Sequence, residues 1–170
     1  IVEIIIYNIN SKKEEKIIAY LESFALKFGL PYKKDDAGNI LILKNAFNGY
    51  ENKMITILQS HVDMVCEKDS NIRHNFETDP IHAYVEDGWV KSKGTTLGAD
   101  NGIGIAAQLA ILSDNSIVHG PLECLFTVDE ETGLTGAFRL ENDFISGNIL
   151  INLDSEDDGE LFIGCAGGMD

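Results

Sequence analysis

At 170 residues the chain is long enough to bury one compact core, and an apolar share of 44% is that of an ordinary globular protein. Asp and Glu outnumber Lys and Arg by 28 to 13, a net charge of −15, which excludes the basic footprint of a nucleic-acid binder and attraction to an anionic membrane surface. No apolar run approaches the roughly 18 residues of a membrane span and no signal-peptide pattern is present, so the cytoplasm is the expected compartment.

In chain order, Ser11-Lys-Lys-Glu14 has the pattern of a capping box. Behind it Ile17, Ile18, Leu21, Phe24, Ala25 and Phe28 recur at helical spacing, predicting an amphipathic helix over 12–28 that Gly29 and Pro31 stop. Asp36-Ala-Gly-Asn39 is a turn before a strand over 40–44, and 54–59 is apolar enough for a central strand. Residues 81–85 and 89–92, joined through Glu86-Asp-Gly88, predict a hairpin. The stretch 103–112 is apolar nearly all round, as in a buried helix. A further central strand is predicted over 122–128, a helix from 132 to about 140, and strands over 149–153 and 161–164. Strands alternating with helices define an α/β fold: three layers, with a mixed, mostly parallel sheet and helices on both faces. There is no initiator Met, and the last residues run just past a strand pattern, so the chain is expected to be a piece of a longer protein.

Four acidic and histidine clusters sit where apolar runs end or a helix starts. His61-Val-Asp63 follows 54–58, and Gly98-Ala-Asp100-Asn-Gly102 precedes a helical pattern. Asp129-Glu-Glu131 follows 122–128, and Asn152-Leu-Asp154 follows 149–151. An imidazole and several carboxylates delivered from strand ends to one sheet edge suit a divalent cation. Adjacent carboxylates such as Glu130 and Glu131 repel, and a cation among them relieves the repulsion. One can bind the ion while its neighbour handles a proton. Each cluster also has a plainer use. His61 can be structural, Asp100 an N-cap, and 129–131 acids favoured by a helix dipole.

Other readings fail on context. Gly102-x-Gly104-x-x-Ala107 fits a dinucleotide fingerprint, yet no strand pattern precedes it. Asp154 to Glu160 mimics the start of a calcium loop, but the twelfth position is Cys165 where a bidentate Glu belongs. No G-x-S-x-G elbow occurs. Cys66, Cys124 and Cys165 look like core residues of a reducing compartment, and His74, His82 and His119 show no partner pattern.

The longer strings around these clusters resemble the co-catalytic zinc aminopeptidase, carboxypeptidase and deacylase group, and within it the aminoacyl-histidine (Xaa-His, cytosol non-specific) dipeptidases. The resemblance runs from about Glu14 to the end. It is carried by His61-Val-Asp-Met-Val-Cys-Glu-Lys68, Gly94-Thr-Thr-Leu-Gly-Ala-Asp-Asn-Gly-Ile-Gly104, Asp129-Glu-Glu-Thr-Gly133, Asn152-Leu-Asp-Ser-Glu156 and Gly164-Cys-Ala-Gly-Gly168.

It implies two divalent metal ions, zinc first, with manganese or cobalt as alternatives. By resemblance His61 and Asp154 hold one ion, Asp100 bridges both, Glu131 holds the second, Glu130 is the general base and Asp63 supports His61. A cis bond at Asp100–Asn101 is also implied. The implied substrate is a dipeptide and the implied parent a homodimer. A lid domain and a late histidine ligand of the family have no counterpart in these residues, so 1–170 is expected to be a partial catalytic domain, inactive alone. A related N-acyl amino acid deacylase or tripeptidase, and a non-catalytic module of the same fold, are the alternatives.

Overall fold

The apolar runs 40–44, 56–61 and 122–127 become strands buried on both faces, while 149–152 forms an exposed strand at the sheet's edge. A computed structural model describes residues 13–155, 157 and 159–164. Helix α1 spans Glu15–Phe28, and Gly29 ends it in the left-handed conformation (φ 65°), where a residue without a Cβ fits best. Strands β1 (Tyr32–Lys34), β2 (Ile40–Lys44) and β3 (Thr56–His61) follow, then the hairpin β4 (Ala83–Glu86) and β5 (Trp89–Ser92). Helix α2 (Ala99–Ser113), strand β6 (Leu122–Thr127), the single turn α3 (Thr135–Phe138) and strand β7 (Ile149–Asn152) complete the order.

Five strands form one sheet in the order β1-β2-β6-β3-β7. Strands β6, β3 and the edge strand β7 run parallel, while β2 pairs antiparallel with β6 and β1 antiparallel with β2. The expected mixed sheet is therefore present. Its two faces are covered unequally. Ile17, Leu21 and Ala25 of α1 and Ile105, Leu109 and Leu112 of α2 pack with Ile40, Ile42, Leu58, Cys124 and Phe126 on one face. The opposite face carries a smaller cluster, in which Leu41, Ile57 and Leu125 meet Phe144 and the 140–145 segment after α3.

Three expectations change in the structure. The helix expected from 132 to 140 shrinks to α3, because the preceding turn follows the needs of the β6 end, as shown below. Residues 161–164 form no strand; Leu161 and Ile163 are fully exposed and have no strand to pair with among the described residues. A short strand at 32–34, too polar to be seen in the pattern, pairs with β2. Ser11 of the capping box, Glu156 and 165–168 lie outside the described residues.

Lys44 is a buried cation on β2, and its Nζ donates to the carbonyls of Ile111 and Asp114, each at 2.7 Å. These are orphan acceptors at the C-terminal end of α2, so the ammonium closes the helix from the sheet side. Burial pulls the Lys44 pKa below its usual value. Replacing Lys44 with Met is expected to cost about 1–3 kcal/mol, read as a lower urea midpoint with an unchanged slope.

Candidate functional site

Parallel pairing sets the site. His61 pairs with Thr127, and Gln59 pairs with Asn152, so the ends of β3, β6 and β7 finish side by side. Ligands and catalytic groups collect at such carboxyl ends in parallel sheets. The chain turns there three times and brings His61, Asp129-Glu-Glu131 and Asp154 to one edge. The N-terminal end of α2 adds Asp100.

His61 is almost fully buried, and carboxylates hold both of its ring nitrogens. Nδ1 lies 3.2 Å from Asp63 Oδ1, and Nε2 lies 2.9 Å from Asp100 Oδ1 and 3.5 Å from Asp154 Oδ1. Burial works against a charge on the ring, but the bonds to Asp154, Asp63 and Asp100 outweigh it and the pKa is pushed up to about 11. The hydrogen bond with His61 in turn holds Asp154 below its usual value, against its own burial.

Asp63 is also buried, and its two oxygens do more than face His61. Oδ1 accepts the Glu130 N–H at 3.0 Å and Oδ2 the Glu131 N–H at 3.1 Å. One carboxylate thus aims the ring and pins the backbone of the next two acidic residues. Burial raises the pKa of Glu130 and of Glu131; His61 opposes the rise, and the neighbouring acids add to it.

Asp100 does not cap α2. The N-cap is Gly98, and Asp100 itself sits at non-helical φ −87°, ψ 112°. The Asp100–Asn101 bond is cis, as the resemblance implied. Asn101, which sequence reasoning passed over, is buried; its Nδ2 donates to Asp154 Oδ1 at 2.7 Å and its Oδ1 accepts the Gly104 N–H at 3.1 Å. The available signal was Gly104: a Cβ there would lie 2.1 Å from Asn101 Oδ1.

The loop after β6 is held by Asn39, which is fully buried. Its Oδ1 accepts the Val128 N–H at 3.1 Å, and its Nδ2 donates to the Gly136 carbonyl at 2.9 Å and to Asp35 at 2.7 Å. Asp129 takes φ 50° and accepts from the Thr132 hydroxyl at 2.6 Å. Its N–H goes to the Glu14 carboxylate at 3.1 Å. Glu14, Asp63 and Asp129 form a second, wholly buried acidic cluster within 4.8 Å, and these hydrogen bonds make it part of the scaffold.

The chemistry of the donor set fits a divalent ion. His61, Asp100 and Glu131 each offer a ligand atom, all within 4.8 Å of one another, and Asp154 reaches the same imidazole nitrogen. The lysine ion pairs among the described residues join Lys13 to Glu77, Lys34 to Glu22 and Lys91 to Glu86, away from this edge. The remaining candidates lie elsewhere. His119 Nδ1 bonds the Gly120 carbonyl at 2.6 Å. Burial pushes the thiols of Cys124 and Cys66 up to about 12 and about 11, which leaves neither a nucleophile at neutral pH.

The profile of Peptidase family M20/M25/M40 matches residues 57–165. That is more than half of the chain, and the chain belongs to this family. It is 49% identical over 160 residues to the cytosol non-specific dipeptidase of Escherichia coli K12, covering 94% of this chain and 33% of that protein. The crystal structure of aminoacylhistidine dipeptidase from Vibrio alginolyticus superposes with a TM-score of 0.93 at 47% identity, covering 96% of this chain and 33% of that one. A tripeptidase from Staphylococcus aureus superposes at 0.77 with 25% identity, covering 92% of this chain and 42% of that one. The chain therefore spans about a third of the length of the two dipeptidases. No helix among the described residues is long and apolar enough to cross a membrane.

Gly136 is the tightest point of the loop that carries Glu130 and Glu131. A Cβ there would lie 2.3 Å from the Val128 carbonyl oxygen and 2.5 Å from Asn39 Oδ1. Gly136→Ala is expected to cost about 1–3 kcal/mol by overpacking, seen as a lowered melting midpoint.

Proposed function

We propose that the full-length protein is a metal-dependent dipeptidase and that this chain is part of its catalytic domain, with a lid domain and a further ligand supplied by the rest of the parent. The observation that carries this reading is the convergence of His61, Asp100, Glu131 and Asp154 on one strand-end edge beside Glu130. The 49% identity to a dipeptidase supports the substrate class, and the tripeptidase likeness at 25% is weaker. A cytoplasmic, homodimeric parent belongs to the same reading.

In it, His61 and Asp154 would hold one divalent ion and Glu131 a second, with Asp100 contributing to both. The borderline nitrogen and hard oxygen donors suit zinc, with manganese or cobalt as substitutes. When bound, such a pair supplies Lewis acidity that makes a water nucleophilic at neutral pH and polarises a carbonyl. The protein's own groups do the rest. Asp63 keeps the His61 ring oriented by accepting from Nδ1, which leaves Nε2 to face the site. Glu130, whose carboxyl pKa burial raises above its usual value, takes the proton of the attacking water and returns it to the leaving amine. Asn101 restrains Asp154.

In the full-length protein with Ala-His as substrate, Glu130→Gln is expected to lower kcat by roughly 10²–10⁴-fold with metal content unchanged by elemental analysis. Turnover that survives the substitution rules Glu130 out as the base. Preference for Ala-Ala-Ala or an N-acetyl amino acid over Ala-His would move the assignment to a tripeptidase or deacylase. The 170-residue chain alone is expected to hydrolyse Ala-His far more slowly than the full-length protein, even in excess zinc or manganese, because its second ion lacks a ligand; comparable rates would contradict that.

A further inference from the structure

The string Met64-Val-Cys-Glu-Lys68 contains none of the six groups assigned above, yet it lies against the segment that leads into Asp100. The Glu67 carbonyl accepts the Thr96 N–H at 2.9 Å, and the Glu67 N–H donates to the Thr96 hydroxyl at 3.2 Å. Lys68 and Thr95 form a β-bridge, and the Asp69 N–H donates to the Gly94 carbonyl at 2.9 Å. At the other end of the string Met64 is buried, and its sulfur fills the place where a side chain at residue 98 would begin: a Cβ on Gly98 would lie 2.8 Å from Sδ. Gly98, at φ 75°, is the N-cap of α2, two residues before Asp100, and its carbonyl accepts the Gly102 N–H at 3.1 Å.

We infer that Met64 is a positioning residue for Asp100: with the 67–69 backbone it clamps Gly94–Gly98 and so sets how far the Asp100 carboxylate stands from His61. The run 61–69 then controls the whole cluster. It supplies His61, pins Glu130 and Glu131 through Asp63, and places Asp100 through Met64. The packing is two-sided. The glycine has no Cβ, which lets the thioether approach, and the thioether fills the space that would let the α2 entry shift. A supporting group that slips by about 1 Å is enough to spoil a coordination site.

This inference rests on the metal-binding reading above, and the test separates the two. Cobalt(II) is titrated into the full-length protein and its variants, and both the dissociation constant and the visible ligand-field spectrum of the bound ion are recorded. Met64→Ala is expected to weaken cobalt binding tenfold or more and to alter the spectrum, and Met64→Leu to restore binding to within about threefold. Leu112→Ala, a cavity at the far end of α2, is expected to lower the melting midpoint while leaving affinity and spectrum unchanged. Thr96→Val removes the hydroxyl that accepts the Glu67 N–H and donates to the Glu67 carbonyl, without touching the core, and is expected to weaken binding three- to tenfold, so the test survives if Met64→Ala fails to fold. Unchanged cobalt binding in Met64→Ala or, if that variant does not fold, in Thr96→Val overturns the clamp alone. An equal loss in Leu112→Ala shows that Met64 matters only for stability and also overturns it. A wild-type protein that binds no cobalt and no zinc takes down the metal reading and the clamp together.

Discussion

The carboxylate of Asp63 is the interaction on which the rest of the site depends. It is buried, so it must be satisfied by hydrogen bonds. Its satisfaction comes from the His61 ring and the backbone N–H groups of Glu130 and Glu131. These partners belong to the ends of two neighbouring parallel strands. The carboxylate therefore stitches the β3 end to the loop after β6, orients an imidazole and presents two further carboxylates in one geometry. A group with less acceptor capacity could not serve all of these partners at once.

The topology explains why the stitch is possible. A mixed sheet in which β6, β3 and β7 run parallel finishes those strands at a common edge, and the loops leaving it have no regular backbone pairing of their own. Side chains take over that pairing, with Asn39 for the β6 loop, Asp63 for the same loop from the other side and Glu14 for Asp129, while the 67–69 backbone holds the approach to α2. The polar groups buried at this edge are therefore scaffold as much as site. Asp100, by contrast, is more than half exposed and Asp154 partly so.

Electrostatics gives the edge its chemical demand. Acidic groups crowd there in a chain that already carries −15, and like charges at short range raise one another's pKa. At their centre lies the His61 ring, where burial works against a positive charge and the bonded carboxylates of Asp154, Asp63 and Asp100 favour one. An imidazole ringed by carboxylates is a donor set that fits a divalent cation.

Much of this was legible in the residues alone. Apolar periodicity located β2, β3, β6, β7 and both long helices, because burial in a layered α/β fold imposes those patterns directly. The strand-end placement of His61, Asp129-Glu-Glu131 and Asp154 was legible for the same reason, and resemblance supplied the order of roles. Elsewhere local pattern failed. The 161–164 run reads as a strand but finds no partner among the described residues, and the helix expected over 132–140 yields to a loop held by Asn39 and crowded at Gly136. The roles of Asn101, Asn39 and Met64 were not legible, since each acts on a residue far away in the chain or through a conformation that no spacing encodes. By itself, then, the sequence determined the layers, the acidity and the identity of the groups that can bear charge, because these follow from composition and period. Only the tertiary structure decided which carboxylates are buried acceptors and which stay partly exposed at the strand-end edge, because that division depends on register, on burial and on distances set by contacts across the fold.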